Sequence, residues 1–247
     1  AVSGGVDSMV LLEALRRLQP LHSYKLTAVH IHHGQSRHKT LAKFRDKAQA
    51  MVRDFCGSRG VHFVTNKTQP KSELQSEAEL RRFRLKCFLK LKKTYSHAAF
   101  VTGHHAEDLL ETRLLQLIRG AGPRGLVHAH GFMDATYLPL KNQPKAAVIK
   151  YAKSRKLSWL DDPSNFDTDL LRNWMRKEWL PSLESYSQGS LRRLNSSLNL
   201  IAEQLRSSLQ VQEAEFLTLV SKDGYIDRQK YNQLSPEQKL NFISWYF

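Results

Sequence analysis

Ser3, Gly4, Gly5, Val6, Asp7 and Ser8 stand immediately ahead of a run in which Met9, Val10 and Leu12 begin an apolar helical face. Paired glycines let backbone amides approach an anion, the serine hydroxyls add donors, and a helix N-terminus contributes a favourable dipole. The chemistry this turn suits is phosphate binding. It is not the GxxxxGKS or GxxxxGKT loop, because it lacks the lysine that reaches the outer phosphates. Asp7 would sit close to those phosphates, which makes sense if it binds Mg2+ or a polar neighbour, or if it simply caps the helix. The second chemical stretch is GHHAEDLLET at residues 103–112. Asp108 and Glu111 are three residues apart, so on a helix their Cβ atoms come within roughly 5–6 Å. Such a pair can hold Mg2+, orient a cationic amine or accept its proton, although acidic residues favour a first helical turn for dipole reasons alone. His104 and His105 suggest zinc, but the two cysteines, Cys56 and Cys87, are too distant in sequence to complete a tetrahedral set.

Both stretches need a scaffold that brings them together. The β-rich runs at 26–32, 61–65 and 98–102 alternate with helix-period segments at 8–18, 41–56 and 73–95. A further helix opens at the acidic stretch and continues to Ile118, with Leu110, Leu114, Leu117 and Ile118 as its buried stripe. Alternation of this kind implies an α/β fold, a parallel sheet with helices on both faces. Ligands of such sheets bind beyond the carboxyl ends of the strands, where both chemical stretches fall. From Pro144 the pattern changes: a basic helix at 145–156, a turn at 161–165, a helix at 170–180 broken by Pro181, and a long helix from 190 to about 220. Leu191, Leu194, Leu198, Ile201 and Leu205 form the stripe of that long helix, Asp223 and Gly224 break it, and a last helix starts at Pro236. The division expected is an α/β domain over residues 1–184 and a small all-helical domain over 185–247.

Composition bounds the rest. In 247 residues, 38 Lys and Arg against 23 Asp and Glu give a formal charge of +15, more than solubility requires, which points to a polyanionic partner. The scattered cysteines form no disulfide framework, no apolar run approaches the roughly 18 residues of a membrane span, and no signal peptide opens the chain. A soluble protein of a reducing, cytoplasmic compartment is expected, with no membrane partner. A phosphate loop two residues from the start implies a missing N-terminal piece, and the apolar ending at Phe247 implies a C-terminal cut.

SGGVDS at 3–8, GHHAEDLLET at 103–112, LIRGAGPRGL at 117–126 and DPSNFDTDLLRNWMR at 162–176, in this order and spacing, resemble the tRNA(Ile)-lysidine synthetases of the PP-loop ATP pyrophosphatases. The likeness spans nearly the whole chain. It implies a two-step reaction on the wobble cytidine of tRNA(Ile) with a CAU anticodon: ATP adenylates the cytosine C2 oxygen and releases pyrophosphate, then the ε-amine of L-lysine attacks C2 and displaces AMP. By position, the ATP loop comprises Ser3, Gly4, Gly5, Val6, Asp7 and Ser8, and adenine lies against the strand end containing His30, chiefly on backbone. Asp108 and Glu111 fall in the acidic motif that serves metal, lysine or both, His105 matches the second His of a His-His pair, and Asp7 and Asp108 are the Mg2+ candidates. The chain departs from the family pattern at Glu107, where Asp is usual, at Leu109, at Gln35, Ser36 and Arg37, and at Tyr137.

The resemblance also implies RNA contacts. Arg81 and Arg84 lie in the ARxxR-like helix, and Arg172, Asn173 and Arg176 form the RNxxR motif. Arg172 and Arg176, at i and i+4, share a helix face on which guanidinium forks suit phosphate. Arg119 and Arg124 flank a glycine-rich turn and are further candidates for tRNA phosphates. Trp159, Trp174 and Trp179 could stack on bases, yet core packing is the commoner use of such residues. Two other readings stay open: a PP-loop tRNA thiolase, which needs catalytic cysteines or an iron–sulfur site, and a non-catalytic tRNA-binding relative.

Overall fold

The computed structural model describes every residue except 35, 67–69, 71–72, 75, 128–135, 164–170 and 247. Gln35, residues 164–165 of the 161–165 turn and Phe247, singled out above, therefore lie outside the described residues. Strand β1 (Thr27–His30) pairs in parallel with β2 (His62–Thr65), in the register Thr27 to His62 and His30 to Thr65. Strand β3 (Phe100–Val101) pairs in parallel with the two-residue β4 (Thr136–Tyr137). The two pairs are joined by the chain start: Val2 N–H donates to the Val29 carbonyl at 2.8 Å, and the Ala1 ammonium donates to the Val101 carbonyl at 2.6 Å. Across the sheet the order is thus β2, β1, residues 1–2, β3, β4. The order reverses between residues 1–2 and β3, so a crevice opens beyond the strand ends at that point.

Helices cover both faces because strand residues alternate in direction. Ala28 joins a core with Val6, Met9, Val10 and Leu12 of α1 (Val6–Leu18), Val52, Phe55 and Cys56 of α2 (Lys39–Gly57), and Val148 and Ala152 of a later helix (Lys145–Ser154). Val29, its neighbour, faces the other way and packs with Phe100 and with Phe88 of α3 (Glu77–Thr94). Each such aliphatic side chain, fully buried, contributes about 1.5–3 kcal/mol. The third helix-period segment begins at Glu77 and not at Glu73. The reason is a capping box, in which Ser76 Oγ accepts from Glu79 N–H and the Glu79 carboxylate accepts from Ser76 N–H, both at 3.2 Å.

The acidic stretch opens α4 (Ala106–Ile118), followed by α5 (Pro123–Val127) and by α6, the Lys145–Ser154 helix. Leu110, Leu114 and Leu115 of α4 are buried, while Leu117 and Ile118 are 44% and 54% exposed, so the stripe ends a turn earlier than its apolar sequence. Pro181 does not end its helix. Residues Leu171–Trp174 (α7) run through a π-helical turn at Met175–Trp179 into α8 (Leu180–Tyr186), where Pro181 sits in the first turn. A missing N–H is tolerated there. Met175 and Leu180 pack on α4 together with Leu198 of α9 (Ser190–Leu217), and Leu191 and Leu194 lie against the same cluster. Ile201 is 45% exposed and Ala202 is the buried residue in its place. Beyond it, Phe216 and Leu219 pack with Phe242 of α11 (Pro236–Tyr246), the intervening short helix α10 being Arg228–Gln233. Among the described residues no helix is long and apolar enough to cross a membrane.

Candidate active site

Residues 3–5 leave the sheet and turn into α1. Ser8 Oγ accepts from the backbone N–H groups of Ser3 and Gly4, each at 3.2 Å, and donates to the Gly5 carbonyl at 2.8 Å. Gly4 has φ +97°, a left-handed conformation open to glycine, and its carbonyl accepts from Leu160 N–H at 3.0 Å. Gly5 is the N-cap and provides no side-chain cap, so the first-turn amides of α1 are left to a ligand or water. The loop abuts the second stretch closely. A Cβ on Gly103 would stand 2.9 Å from the backbone carbon and oxygen of Asp7.

His104 and His105 diverge. His104 is exposed and its Nδ1 pairs with Thr102 Oγ1 at 2.8 Å, whereas His105 is 3% exposed and turned into the crevice. His105 Nδ1 pairs with Glu107 Oε2 at 2.9 Å, and its Nε2 lies 3.3 Å from Asp108 Oδ2 and 3.8 Å from Asp7 Oδ1. Burial disfavours its charged form, but the Glu107 hydrogen bond and the carboxylates of Asp108 and Asp7 outweigh burial and raise its pKa above the ordinary histidine value. Glu107 and Asp108 are also desolvated. The hydrogen bonds of Glu107 to His105 and Lys145, and the charges of His105 and Arg176 beside Asp108, nonetheless hold both pKa values below the ordinary range.

Opposite this cluster stands the RNxxR helix. Arg176 grips Glu111 with two bonds of 2.7 and 2.6 Å and reaches Asp108 at 2.8 Å. Arg172 lies 3.5 Å from Glu111 and donates to Thr112 Oγ1. Glu111, 1% exposed, is thus enclosed by guanidinium groups. Arg172 and Arg176 share a face, and it meets the carboxylates of Glu111 and Asp108. Asn173 is buried beside them.

Two members of the site escaped sequence reasoning. Lys145 Nζ donates to both oxygens of Asp7, at 2.6 and 2.8 Å, and its backbone N–H donates to both oxygens of Glu107 at 3.0 Å. Glu107, noted only as a departure, therefore links His105 to the start of α6, which has no side-chain cap of its own. Its added methylene gives that reach. The Pro144 and Lys145 pair signals a helix start, but no local pattern ties it to a loop 138 residues away. Leu109, another departure, is 3% exposed and suits its buried place. Ser36 Oγ and Arg37 N–H both donate to Glu73 Oε1, at 2.6 and 2.9 Å. Tyr137 is 63% exposed.

The other expected residues lie apart from this cluster or serve differently. His30 is 5% exposed and its Nδ1 pairs with the Val2 carbonyl at 2.9 Å, so its side chain fastens the sheet and leaves only backbone to a ligand. Arg81 and Arg84 are exposed on α3. Arg119 caps the far end of α4, whose 13 residues span about 20 Å, and Arg124 follows in α5. Trp159 and Trp179 pack against cores, while Trp174, 43% exposed, stacks on Trp179 with ring centroids 6.3 Å apart.

A cavity of about 310 Å3 lies between the two walls, lined by His105, Glu107, Glu111, Lys145 and Arg176 and, on α8 and α9, by Leu180, Pro181, Glu184 and Leu191. Among the described residues no group of three or more His, Cys, Asp or Glu could hold a metal unaided. Asp7 and Asp108 approach His105 Nε2 at 3.8 and 3.3 Å, and each also meets a cation, Lys145 on Asp7 and Arg176 on Asp108.

Residues 1–183 match the PP-loop domain family. A tRNA(Ile)-lysidine synthase of Bdellovibrio bacteriovorus is 36% identical over 207 residues, covering 84% of this chain and 63% of that protein. Those of Azoarcus and Nitrosomonas europaea are 34% and 30% identical, covering 75% and 99% of this chain and 41% and 53% of their own lengths. The chain thus spans between two fifths and two thirds of these relatives. Among solved structures, a U34-tRNA thiolase of Methanococcus maripaludis with its 4Fe–4S cluster superposes with a TM-score of 0.65 at 17% identity, over 82% of this chain and 70% of that one, a likeness of fold.

Proposed function

Since this chain belongs to the PP-loop domain family, we propose that it is the ATP-using core of a tRNA(Ile)-lysidine synthase. The observation that carries this is the convergence of Asp7 from the phosphate loop and Asp108 from the acidic helix on one nitrogen of His105, at 3.8 and 3.3 Å. In this reading the end of ATP and a carboxylate wall suited to an amine meet beside His105, which lines the cavity with Glu111 and Lys145.

In this reading the amides and hydroxyls of residues 3–8 receive the phosphates and the backbone at the end of β1 receives adenine. The cytosine C2 oxygen of the CAU anticodon attacks the α-phosphorus, an O–P bond forms, and pyrophosphate leaves. The ε-amine of lysine then attacks C2, loses a proton, and AMP departs with the C2 oxygen. Asp108 and Glu111 orient the lysine ammonium and offer the base that takes its proton. Their present partners Arg176 and Arg172 supply positive charge for the departing phosphate. Mg2+ held with Asp7 or Asp108 would neutralise the pyrophosphate. An anticodon base is already unpaired, so the cavity can take it without melting a duplex. Arg81, Arg84, Arg119, Arg124, Arg172, Asn173 and Arg176 are the proposed tRNA contacts. We assign residues 1–184 to catalysis and 185–247 to tRNA binding or linkage.

The thiolase reading finds less support. Cys56 is fully buried, and burial pushes its thiol up to about 11. Cys87 on α3 is raised for the same reason, so neither is the exposed, low-pKa thiol that sulfur transfer requires. The test is stoichiometry: with tRNA, ATP and lysine present, AMP and pyrophosphate should form in equal amounts and in step with lysine consumed. Formation of ADP and inorganic phosphate would refute the proposal.

A further inference from the structure

The phosphate loop contains no lysine, yet the fold delivers one to it. Lys145 opens α6 with its ammonium on both oxygens of Asp7, at 2.6 and 2.8 Å. The root of the side chain is fixed, because Glu107 accepts from the Lys145 backbone N–H through both oxygens and is itself tied to His105. Only the tip is free to move. In this it differs from Arg176, which is committed to Glu111 and Asp108 through three bonds of 2.6 to 2.8 Å. The Asp7 carboxylate is 28% exposed against 2% for Glu111, and the more solvated of two ion pairs is the more weakly held. An ammonium on a flexible stem, with three rotatable donors, can be redirected where a planar fork cannot. Lys145 lines the cavity with Arg176, at a helix N-terminus whose dipole also favours anions.

We propose that Lys145 is a phosphate-binding residue: its ammonium transfers from Asp7 to the outer phosphates of ATP, the portion that departs as pyrophosphate. It supplies from α6 the cation that the loop itself lacks, and Asp7 keeps it at the loop until nucleotide arrives. This rests on the ATP half of the proposed function and is independent of the acceptor.

The experiment is equilibrium binding of ATP, inorganic pyrophosphate and AMP to the wild-type chain, Lys145→Met and Lys145→Arg, with thermal unfolding of each. Lys145→Met should weaken ATP and pyrophosphate by about tenfold or more while AMP stays within about twofold. Lys145→Arg should recover much of the loss. If Lys145→Met does not fold, Lys145→Gln, which can still donate to Asp7, gives the same comparison. Wild-type affinity for ATP and pyrophosphate in the Met or Gln variant would overturn the proposal. So would AMP weakening in parallel with ATP alongside a lowered melting temperature, the mark of a purely structural clamp. A wild-type chain that binds no ATP would overturn this and the reading beneath it together.

Discussion

Glu107 holds the site's histidine and the site's lysine at once, and its chemistry can be tested on His105. Replacing it by Gln removes the charge that offsets burial, so the His105 pKa should fall. An NMR titration of the His105 ring reads this directly, and an unchanged midpoint would contradict the role given to Glu107. The sign for stability follows. Because the folded pKa of His105 is raised, its contribution is fully present below about 6.5, the unfolded value, and is lost as pH rises through the folded one. Glu107 and Asp108 behave oppositely: their contribution is present above the unfolded carboxylate values and is lost as pH falls through their depressed ones. Glu111→Gln should leave two guanidinium groups short of a counter-charge. With the Arg176 side chain 40% exposed, the loss should be about 1–3 kcal/mol in denaturant unfolding, less than for a fully buried pair. Asp108→Asn should abolish lysine transfer while leaving tRNA retention nearly intact, and normal turnover would remove Asp108 from the mechanism. Asp108 and Glu111 were legible in the sequence because one helical turn relates them. Lys145 was not, because its partner is set by how α6 docks.

The elements meet at Gly103. The loop before α4 passes the start of α1 so closely that a methyl group would meet Asp7 backbone at 2.9 Å and Ser8 nitrogen at 3.1 Å. Backbone on that side cannot rotate away as a side chain could. Gly103→Ala should therefore displace the phosphate loop, costing about 1–3 kcal/mol of stability and at least about tenfold in ATP affinity. Wild-type ATP binding in that variant would show that the approach is not required. Alternating strands and helices, and the position of both loops at the strand ends, were readable from hydrophobic period. Strand β4, two residues long, was too short to carry a period. Pro181 read as a break because its lost donor is visible in sequence, whereas the π-helical turn that places it in a first turn is not.

For the molecule as a whole, the formal charge of +15 suits the proposed tRNA partner. Of the cationic candidates, Arg172 and Arg176 turn toward carboxylates, while Arg81, Arg84 and Arg119 are exposed. An interface dominated by phosphate contacts releases counterions, so tRNA affinity should fall at least about tenfold between 50 and 200 mM salt. Affinity unaffected by salt would contradict it. The central claim is chemical, however, and radiolabelled lysine tests it most directly. Incubated with ATP, Mg2+ and tRNA(Ile) bearing a CAU anticodon, the chain should place label in the tRNA, with none entering when ATP is omitted. Label that never enters the tRNA, while a tRNA(Ile)-lysidine synthase succeeds in parallel, would contradict the account.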